Sequence, residues 1–448
     1  MMKRFLPFSI FVSAILLLST FSGCKQYSKD YQAKAQNPEF IHKGVRRITD
    51  IIRHDIFPPP VSARIYAYSS IAAYEALLPG YPEYRSLAGQ LNELTPGPQP
   101  EAGKEYCFPL ASVNAMLTVG KQLVFSEGDI QELKESIFED FNQMNMPPDV
   151  YERSMAYGDA VAKHILAWSK KDNYAQTRSM PKFTIQSESP ARWTPTPPMY
   201  ADALEPHWPK IRPWVMDSAA QFLAEPPVPF SDKNGSEFYK QALEVHDIVK
   251  NLTPWQDSTA WYWDDNPFAL EVSGHFMFGK KKISPGGHWM NIASHANRKA
   301  NAGIMQSTEV YVKVACALTD AFISCWHTKY VYNLIRPESY INKYIDPEWR
   351  PLIQTPPFPE HTSGHSTISS AAAAVLSSLY GETFAFSDST EMEFGIPPRH
   401  FNSFREASEQ VGISRLYGGI HYRHGNQAGL KTGREIGLYV SQKIRTRK

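Results

Sequence analysis

The stretch Ser363-Gly364-His365-Ser366-Thr367-Ile368-Ser369-Ser370-Ala371-Ala372-Ala373-Ala374-Val375-Leu376-Ser377-Ser378-Leu379-Tyr380-Gly381 decides how this chain is read. A helix is expected from about Ser366 to Tyr380, with Gly381 as its C-terminal cap. Ser363-Gly364-His365 then lies at the helix N-terminus. Free backbone N–H groups and the positive dipole end favour an oxyanion there. Gly364 permits close approach of the backbone. Ser363 is also a common N-cap residue, which accounts for it without a ligand. His365 is what that plainer reading leaves over, since an imidazole there can act as acid or base.

Two flanking segments carry matching chemistry. In a helix expected from about Val310 to Ile335, Leu318, Phe322, Cys325, Lys329, Tyr332 and Arg336 follow helical spacing. That places Lys329 and Arg336 on an apolar stripe, with Pro337 ending the helix. Two buried cations are costly unless an anion lies between them. The plainer alternative is that both reach solvent or pair with carboxylates elsewhere. In the segment from Asn402 to His421, Ser403 and Glu406 predict a capping box. Phe404, Ala407, Val411 and Arg415 then share a face, which adds a third cation. Gly418-Gly419 breaks that helix and His421 follows. Three cations, an N-terminal anion nest and two histidines suit a tetrahedral oxyanion.

Outward from these segments, the pattern is mostly helical. The chain has 448 residues, with 42% apolar and 20% charged, which reads as globular. Lys plus Arg number 46 against 45 Asp plus Glu, so nothing in the composition supports nucleic-acid binding. Helical patterning covers residues 41–171, including Ala63 to Leu78 and Tyr151 to Trp168. Residues 172–235 are too rich in proline for a helix. Trp193, Trp208 and Trp214 in that stretch predict that it packs down as an ordered connection. Helical patterning returns over 236–448, which would carry the anion site. With four cysteines the chain is no disulfide scaffold. Cys107, Cys316 and Cys325 are expected as buried thiols.

The N-terminus reads as an address. Lys3 and Arg4 precede an apolar run from Phe5 to Phe21, then Ser22-Gly23-Cys24. Residues 1–23 are expected to be a bacterial signal peptide and Cys24 a lipid-bearing residue, with 24–40 as tether. The expectation is a cell-envelope lipoprotein, exported across the inner membrane and touching a membrane only through that lipid.

The three segments resemble the signature of the superfamily that unites vanadium-dependent haloperoxidases with type 2 phosphatidic acid phosphatases. Lys329 through Arg336-Pro337 matches its first part, and His361-Thr362-Ser363-Gly364-His365 its second. Ser414-Arg415 through Gly419 and His421 matches the third. Ala63 to Leu77, the stretch from Trp193 to Pro213 and Gly287-His288-Trp289 are similar to the bacterial haloperoxidase branch, which includes iodide-specific enzymes of marine Bacteroidetes. The resemblance implies an all-α helical bundle with long ordered loops. It implies vanadate as cofactor, although phosphate fits the same cradle, with hydrogen peroxide and halide as substrates. Lys329, Arg336 and Arg415 would neutralise the vanadate oxygens, and Ser363 and the Gly364 N–H would hydrogen-bond to them. His421 would be the metal ligand and His365 the acid–base catalyst. Trp326 and Phe358 would line the halide pocket.

Two departures stand out. Thr362 replaces the usual Pro. Gly425 stands four residues after His421, where the family often has Asp. The missing Asp counts against phosphatase chemistry, because in the phosphatases it orients the histidine nucleophile. Asn426, Asp264 or Asp265 is expected to compensate by contacting His421 or Arg415. Two other functions remain open. One is a phosphomonoesterase with His421 as nucleophile. The other is a lipid-anchored anion-binding protein without catalysis, which would lose little on mutation of His365.

Overall fold

The computed structural model describes residues 27–448 except 29, 268, 274, 275 and 280, with side chains left undescribed over 271–278. The expected signal peptide and Cys24 lie outside the described residues.

The chain is folded earlier than the expected tether allows. Helix α1 (Tyr31–Ala35) buries Tyr31 and Ala35, and the Tyr31 hydroxyl donates to Glu105 at 2.5 Å. Phe40, in α2 (Glu39–His54), packs on Phe141 with ring centroids 4.5 Å apart. Apolar residues within 31–40 thus seek the core, and any free linker is shorter than the composition suggested. The N-terminal half continues with α3 (Pro59–Leu77), α4 (Phe108–Leu123), α5 (Glu127–Asn142), α6 (Pro148–Ser169) and the short α7 (Tyr174–Thr177). Proline sits in the first turn of α3, α4 and α6, where its missing N–H is tolerated. α3 is buried on nearly every side, its Arg64 paired with Asp172 at 2.6 Å.

Residues 178–236 hold no α-helix among those described, only a 3-10 turn at Trp208–Lys210. Trp193, Trp208 and Trp214 are nonetheless buried. The buried Asp320 carboxylate pins this connection by accepting the backbone N–H groups of Trp214 (2.7 Å), Val215 (2.9 Å) and Met216 (3.2 Å).

The second half comprises α8 (Glu237–Lys250), α9 (Pro254–Tyr262), α10 (Pro285–Lys299), α11 (Ile304–Tyr332), α12 (Pro337–Tyr344), α13 (Gly364–Tyr380), α14 (Phe404–Tyr417) and α15 (Arg423–Lys443). Two small antiparallel hairpins interrupt them, β1 (Leu270–Ser273) with β2 (Phe276–Gly279) and β3 (Phe386–Asp388) with β4 (Arg399–Phe401). No described helix is long and apolar enough to cross a membrane. Cys107, Cys316 and Cys325 are buried and free.

One expected element needs correction. α11 ends at Tyr332, with Asn333 left-handed at φ 46°. Arg336 therefore does not continue the helical stripe of Lys329. It is extended (φ −77°, ψ 153°), and Pro337 opens α12 instead of closing α11. The cause is local: the residue before proline avoids helical backbone, while proline suits the first helical position.

α13 and α15 pack backbone to backbone. Gly429, Gly433 and Gly437 recur every fourth residue of α15 and form one face. A Cβ there would lie 2.9 Å from the Ser363 carbonyl oxygen, 1.9 Å from that of Thr367 and 2.3 Å from that of Ala371. Only glycine allows this approach, and it brings the start of α15 against the start of α13.

Candidate active site

The three cations are buried where those helix ends meet. Lys329 points its ammonium at the loop before α13, donating to the carbonyls of Pro359 (2.9 Å), Glu360 (2.9 Å) and Thr362. All three of its protons are thereby engaged. Burial pushes this ammonium down to about 7. Arg336 donates through Nε to the Phe358 carbonyl (2.8 Å) and through Nη1 to the Ile420 carbonyl (2.8 Å). Burial lowers it to about 10, opposed by the Glu360 carboxylate. Arg415, on α14, holds the Trp263 carbonyl through Nη1 at 2.6 Å. Arg336 Nη2 and both Nε and Nη2 of Arg415 are buried without a partner. Buried guanidinium donors left unpaired are costly, and an anion would satisfy them.

His421 lies between α14 and α15. Its Nε2 is 3.1 Å from Arg336 Nη1 and its Nδ1 is 2.7 Å from Glu360 Oε1. Burial, then Arg336, Lys329 and Arg415, holds its pKa well below the usual imidazole value, so the ring is neutral. Burial raises the Glu360 carboxyl to about 7, against Lys329 and Arg336, which pull it down. The expected partners lie elsewhere. Asn426 receives the Ser366 hydroxyl at 3.4 Å, Asp264 pairs with Lys282, and Asp265 bonds His288. Asp264 and Asp265 do bear on Arg415, whose lowered pKa they oppose after burial has set it.

Ser363 caps α13, its hydroxyl accepting the Ser366 N–H at 3.3 Å. Gly381 ends the helix with φ 99°. The first N–H groups of α13 have no acceptor inside the helix. A Cβ at Gly364 would meet Trp326 at an ordinary 3.5 Å, so packing alone does not demand glycine there. His365 faces a small cleft, and its buried Nε2 has no partner. Burial and Arg415 hold it well below the usual imidazole value. Ser403 caps α14 by accepting the Glu406 N–H at 3.0 Å. Glu406 answers to the Asn402 N–H at 2.7 Å, so the expected reciprocal box forms one residue early.

The cleft, about 30 Å³, is walled by Leu204, Phe322, Trp326, Pro357 and Phe358, with Gly364, His365 and His421 at its floor. Trp326 and Phe358 lie 5.0 Å apart by ring centroid. Phe358 also covers the cations, 4.9 Å from Lys329 Nζ and 5.0 Å from Arg336 Cζ. Such contacts hold cations in a low-dielectric site. Behind the cleft, His288 bonds Asp265 at 3.0 Å and Asp388 at 2.7 Å. Burial opposes its charge, yet these carboxylates hold its pKa well above the usual value. Trp289 donates to Ser369 of α13 at 2.6 Å.

A bacterial vanadium-dependent iodoperoxidase, described as the first of its kind, is 47% identical, with a TM-score of 0.87 over 92% of this chain and 97% of that one. This chain belongs to the vanadium-dependent haloperoxidases. A holo-type bacterial vanadium-dependent chloroperoxidase shares the fold, at 16% identity and a TM-score of 0.65 over 86% of this chain and 92% of that one. Residues 343–447 match the family model of the VCPO second helical-bundle domain. No curated protein matches the chain.

The haloperoxidase site fits vanadate. Unpaired donors of Arg336 and Arg415, the helix N-terminus and a neutral imidazole nitrogen are what a tetrahedral oxyanion and its ligand need. The structure brings together all the expected residues: Trp326, Lys329, Arg336, Phe358, Ser363, Gly364, His365, Arg415 and His421. The residue missed in the sequence is Glu360. Its signal was a lone acid between Pro359 and His361, together with a glycine at 425 that extends the every-fourth-residue series of α15.

Proposed function

We propose that this haloperoxidase holds vanadate between His421 and the N-terminus of α13 and oxidises iodide preferentially. Overall, halide, hydrogen peroxide and one proton give hypohalous acid and water. Vanadate supplies Lewis acidity that activates peroxide toward halide, without changing its own oxidation state. The chain's residues do the rest. Arg336 Nη2, Arg415 Nε and Nη2, the Ser363 hydroxyl and the Gly364 N–H hold the oxyanion's oxygens. Lys329 adds charge while bracing the loop on which Ser363 sits. His421 Nε2 offers the ligand lone pair. His365 Nε2, partnerless at the cleft, would take up a proton from hydrogen peroxide and give it back during turnover. Trp326 and Phe358 form the apolar wall on the halide side and limit water.

The observation that carries this reading is the set of buried, partnerless nitrogens on Arg336, Arg415 and His365 around the neutral His421 ring. Iodide is put first because the 47%-identical relative is an iodoperoxidase. The absence of Asp at 425 no longer weighs against a phosphatase, because Glu360 supplies a carboxylate to His421. The test therefore runs both chemistries. Purified protein lacking the first 24 residues is stripped of metal and reloaded with orthovanadate. Triiodide formation should depend on vanadate, with less bromide oxidation and no hydrolysis of para-nitrophenyl phosphate. Phosphate release inhibited by vanadate, without halide oxidation, would overturn the reading.

Export and lipidation at Cys24 form part of the same proposal and rest on residues 3–24 of the sequence. Cys24→Ser should abolish incorporation of labelled palmitate into the full-length chain. Labelling that persists in the variant would contradict the anchor.

A further inference from the structure

We infer that Glu360 is the positioning residue of His421: it accepts a hydrogen bond from the single ring N–H, at Nδ1, and so presents the Nε2 lone pair to the oxyanion site, in the space that Gly425 leaves. This inference rests on the vanadate reading above. Arginine can only donate, so the contact of Arg336 Nη1 with His421 Nε2 at 3.1 Å makes Nε2 an acceptor. In a neutral ring the proton then sits on Nδ1, which is 2.7 Å from Glu360 Oε1. The same oxygen accepts the Tyr422 N–H at 3.2 Å, so two donors converge on it. A protonated Glu360 giving its hydrogen to Nδ1 would set an N–H at Nε2 against the Arg336 guanidinium 3.1 Å away, a donor facing a donor, so the arrangement favours the Nδ1–H tautomer.

Glu360 is itself firmly held. Its N–H donates to the Leu334 carbonyl at 3.0 Å and its carbonyl accepts from Lys329 at 2.9 Å. Its side chain fills the site that an acid on the first turn of α15 would use. A Cβ at 425 would lie 2.3 Å from Glu360 Oε1 and 2.9 Å from Oε2. A carboxylate can therefore reach Nδ1 from the loop or from α15, but not from both. The loop choice has a mechanical consequence. Glu360 sits three residues before Ser363, whose N–H donates to the Gly425 carbonyl at 3.1 Å. The donors for the oxyanion and the clamp on its ligand thus belong to one short segment, docked on the residues around His421. Partners of metal-binding histidines fix tautomer and orientation in this way.

The test uses Glu360→Gln, Glu360→Ala, Gly425→Asp and the double variant Glu360→Ala/Gly425→Asp. Two quantities are read: orthovanadate affinity by equilibrium dialysis, and the ¹⁵N shifts of the His421 ring in metal-free protein, assigned by their loss in His421→Ala. The wild type should show protonated Nδ1 and unprotonated Nε2. Glu360→Gln should weaken vanadate binding roughly 10- to 100-fold and shift the ring nitrogens toward mixed tautomers. Gly425→Asp alone should weaken binding, because it expels Glu360. The double variant, with its acid moved to α15, should recover most of the affinity lost in Glu360→Ala. If Glu360→Ala does not fold, the isosteric Gln and the double variant still decide the matter. Wild-type affinity and wild-type ring shifts in Glu360→Gln would overturn the inference. A wild-type chain that binds no vanadate, yet loses its Nδ1 proton signature in Glu360→Gln, would overturn the vanadate reading and leave the clamp standing.

Discussion

Arg415 has two nitrogens of its guanidinium unpaired in a buried site, while its third fixes the Trp263 carbonyl. Lysine there would keep the charge and lose the fork of donors. Arg415→Lys should weaken orthovanadate binding about 10- to 100-fold, because a hydrogen bond to a charged group contributes about 1.5–3 kcal/mol. Equilibrium dialysis checks this, and unchanged affinity would show that Arg415 does not face the anion. Site residues were legible in the sequence where they sit in local motifs: Ser363 with its cap, His365 beside it, and His421 after the paired glycines. Glu360 was not, because its partner is 61 residues away and nothing in local spacing joins them. Neither Asn426 nor the aspartates at 264 and 265 partner His421, although both aspartates act on Arg415 through their charge.

At the scale of elements, the packing of α13 on α15 sets the site, because it fixes where Ser363 meets Gly425. Gly433→Ala tests it. Alanine would gain about 1 kcal/mol in helix propensity. Against that stands a Cβ placed 1.9 Å from the Thr367 carbonyl oxygen, which forces the helices apart. Overpacking of this kind costs about 1–3 kcal/mol or more. The net expectation is a lower melting temperature together with weaker vanadate binding, and a higher melting temperature would contradict it. α13 was readable because cap, apolar run and terminal glycine agree. The end of α11 was not, because helical spacing carried Arg336 onto a stripe that Asn333 and Pro337 interrupt. Arg336 still reaches the site, by the extended turn before α12.

Over the whole molecule, buried histidines govern how stability depends on pH. Burial lowers His42 to about 4 and His361 to about 3, and holds His365 and His421 well below the usual value. In the unfolded chain these rings protonate near pH 6.5. Below that pH the unfolded state binds more protons, so their contribution is present above pH 6.5 and lost as pH falls. Each costs about 1.4 kcal/mol per pH unit. His288 works oppositely, because its raised pKa contributes stability below pH 6.5 that is lost as pH rises. Below pH 6.5 His288 is protonated in both states and sets no slope. Asp320, Glu360 and Glu391, raised to about 6, about 7 and about 8, take up protons first in the folded state and offset part of the loss. The deeply lowered histidines set the net direction, so the metal-free protein should melt at lower temperature from pH 6.5 to 4.5. A flat profile would contradict this balance. Saturating orthovanadate at neutral pH should raise the melting temperature by a few degrees, since ligand at 100 times Kd adds about 2.7 kcal/mol. Composition foretold a helical body and a packed proline-rich stretch. It did not foretell that Asp320 holds that stretch through three backbone N–H groups, a contact between segments over 100 residues apart.

Vanadate binding at His421 underlies every role assigned above. Anomalous diffraction at the vanadium edge, from crystals soaked in orthovanadate, locates it directly. One peak per chain is expected, bonded to His421 Nε2 and ringed by Arg336, Arg415, Ser363 and the start of α13, and no such peak in His421→Ala. A peak elsewhere, or one at this place that persists in His421→Ala, would contradict it.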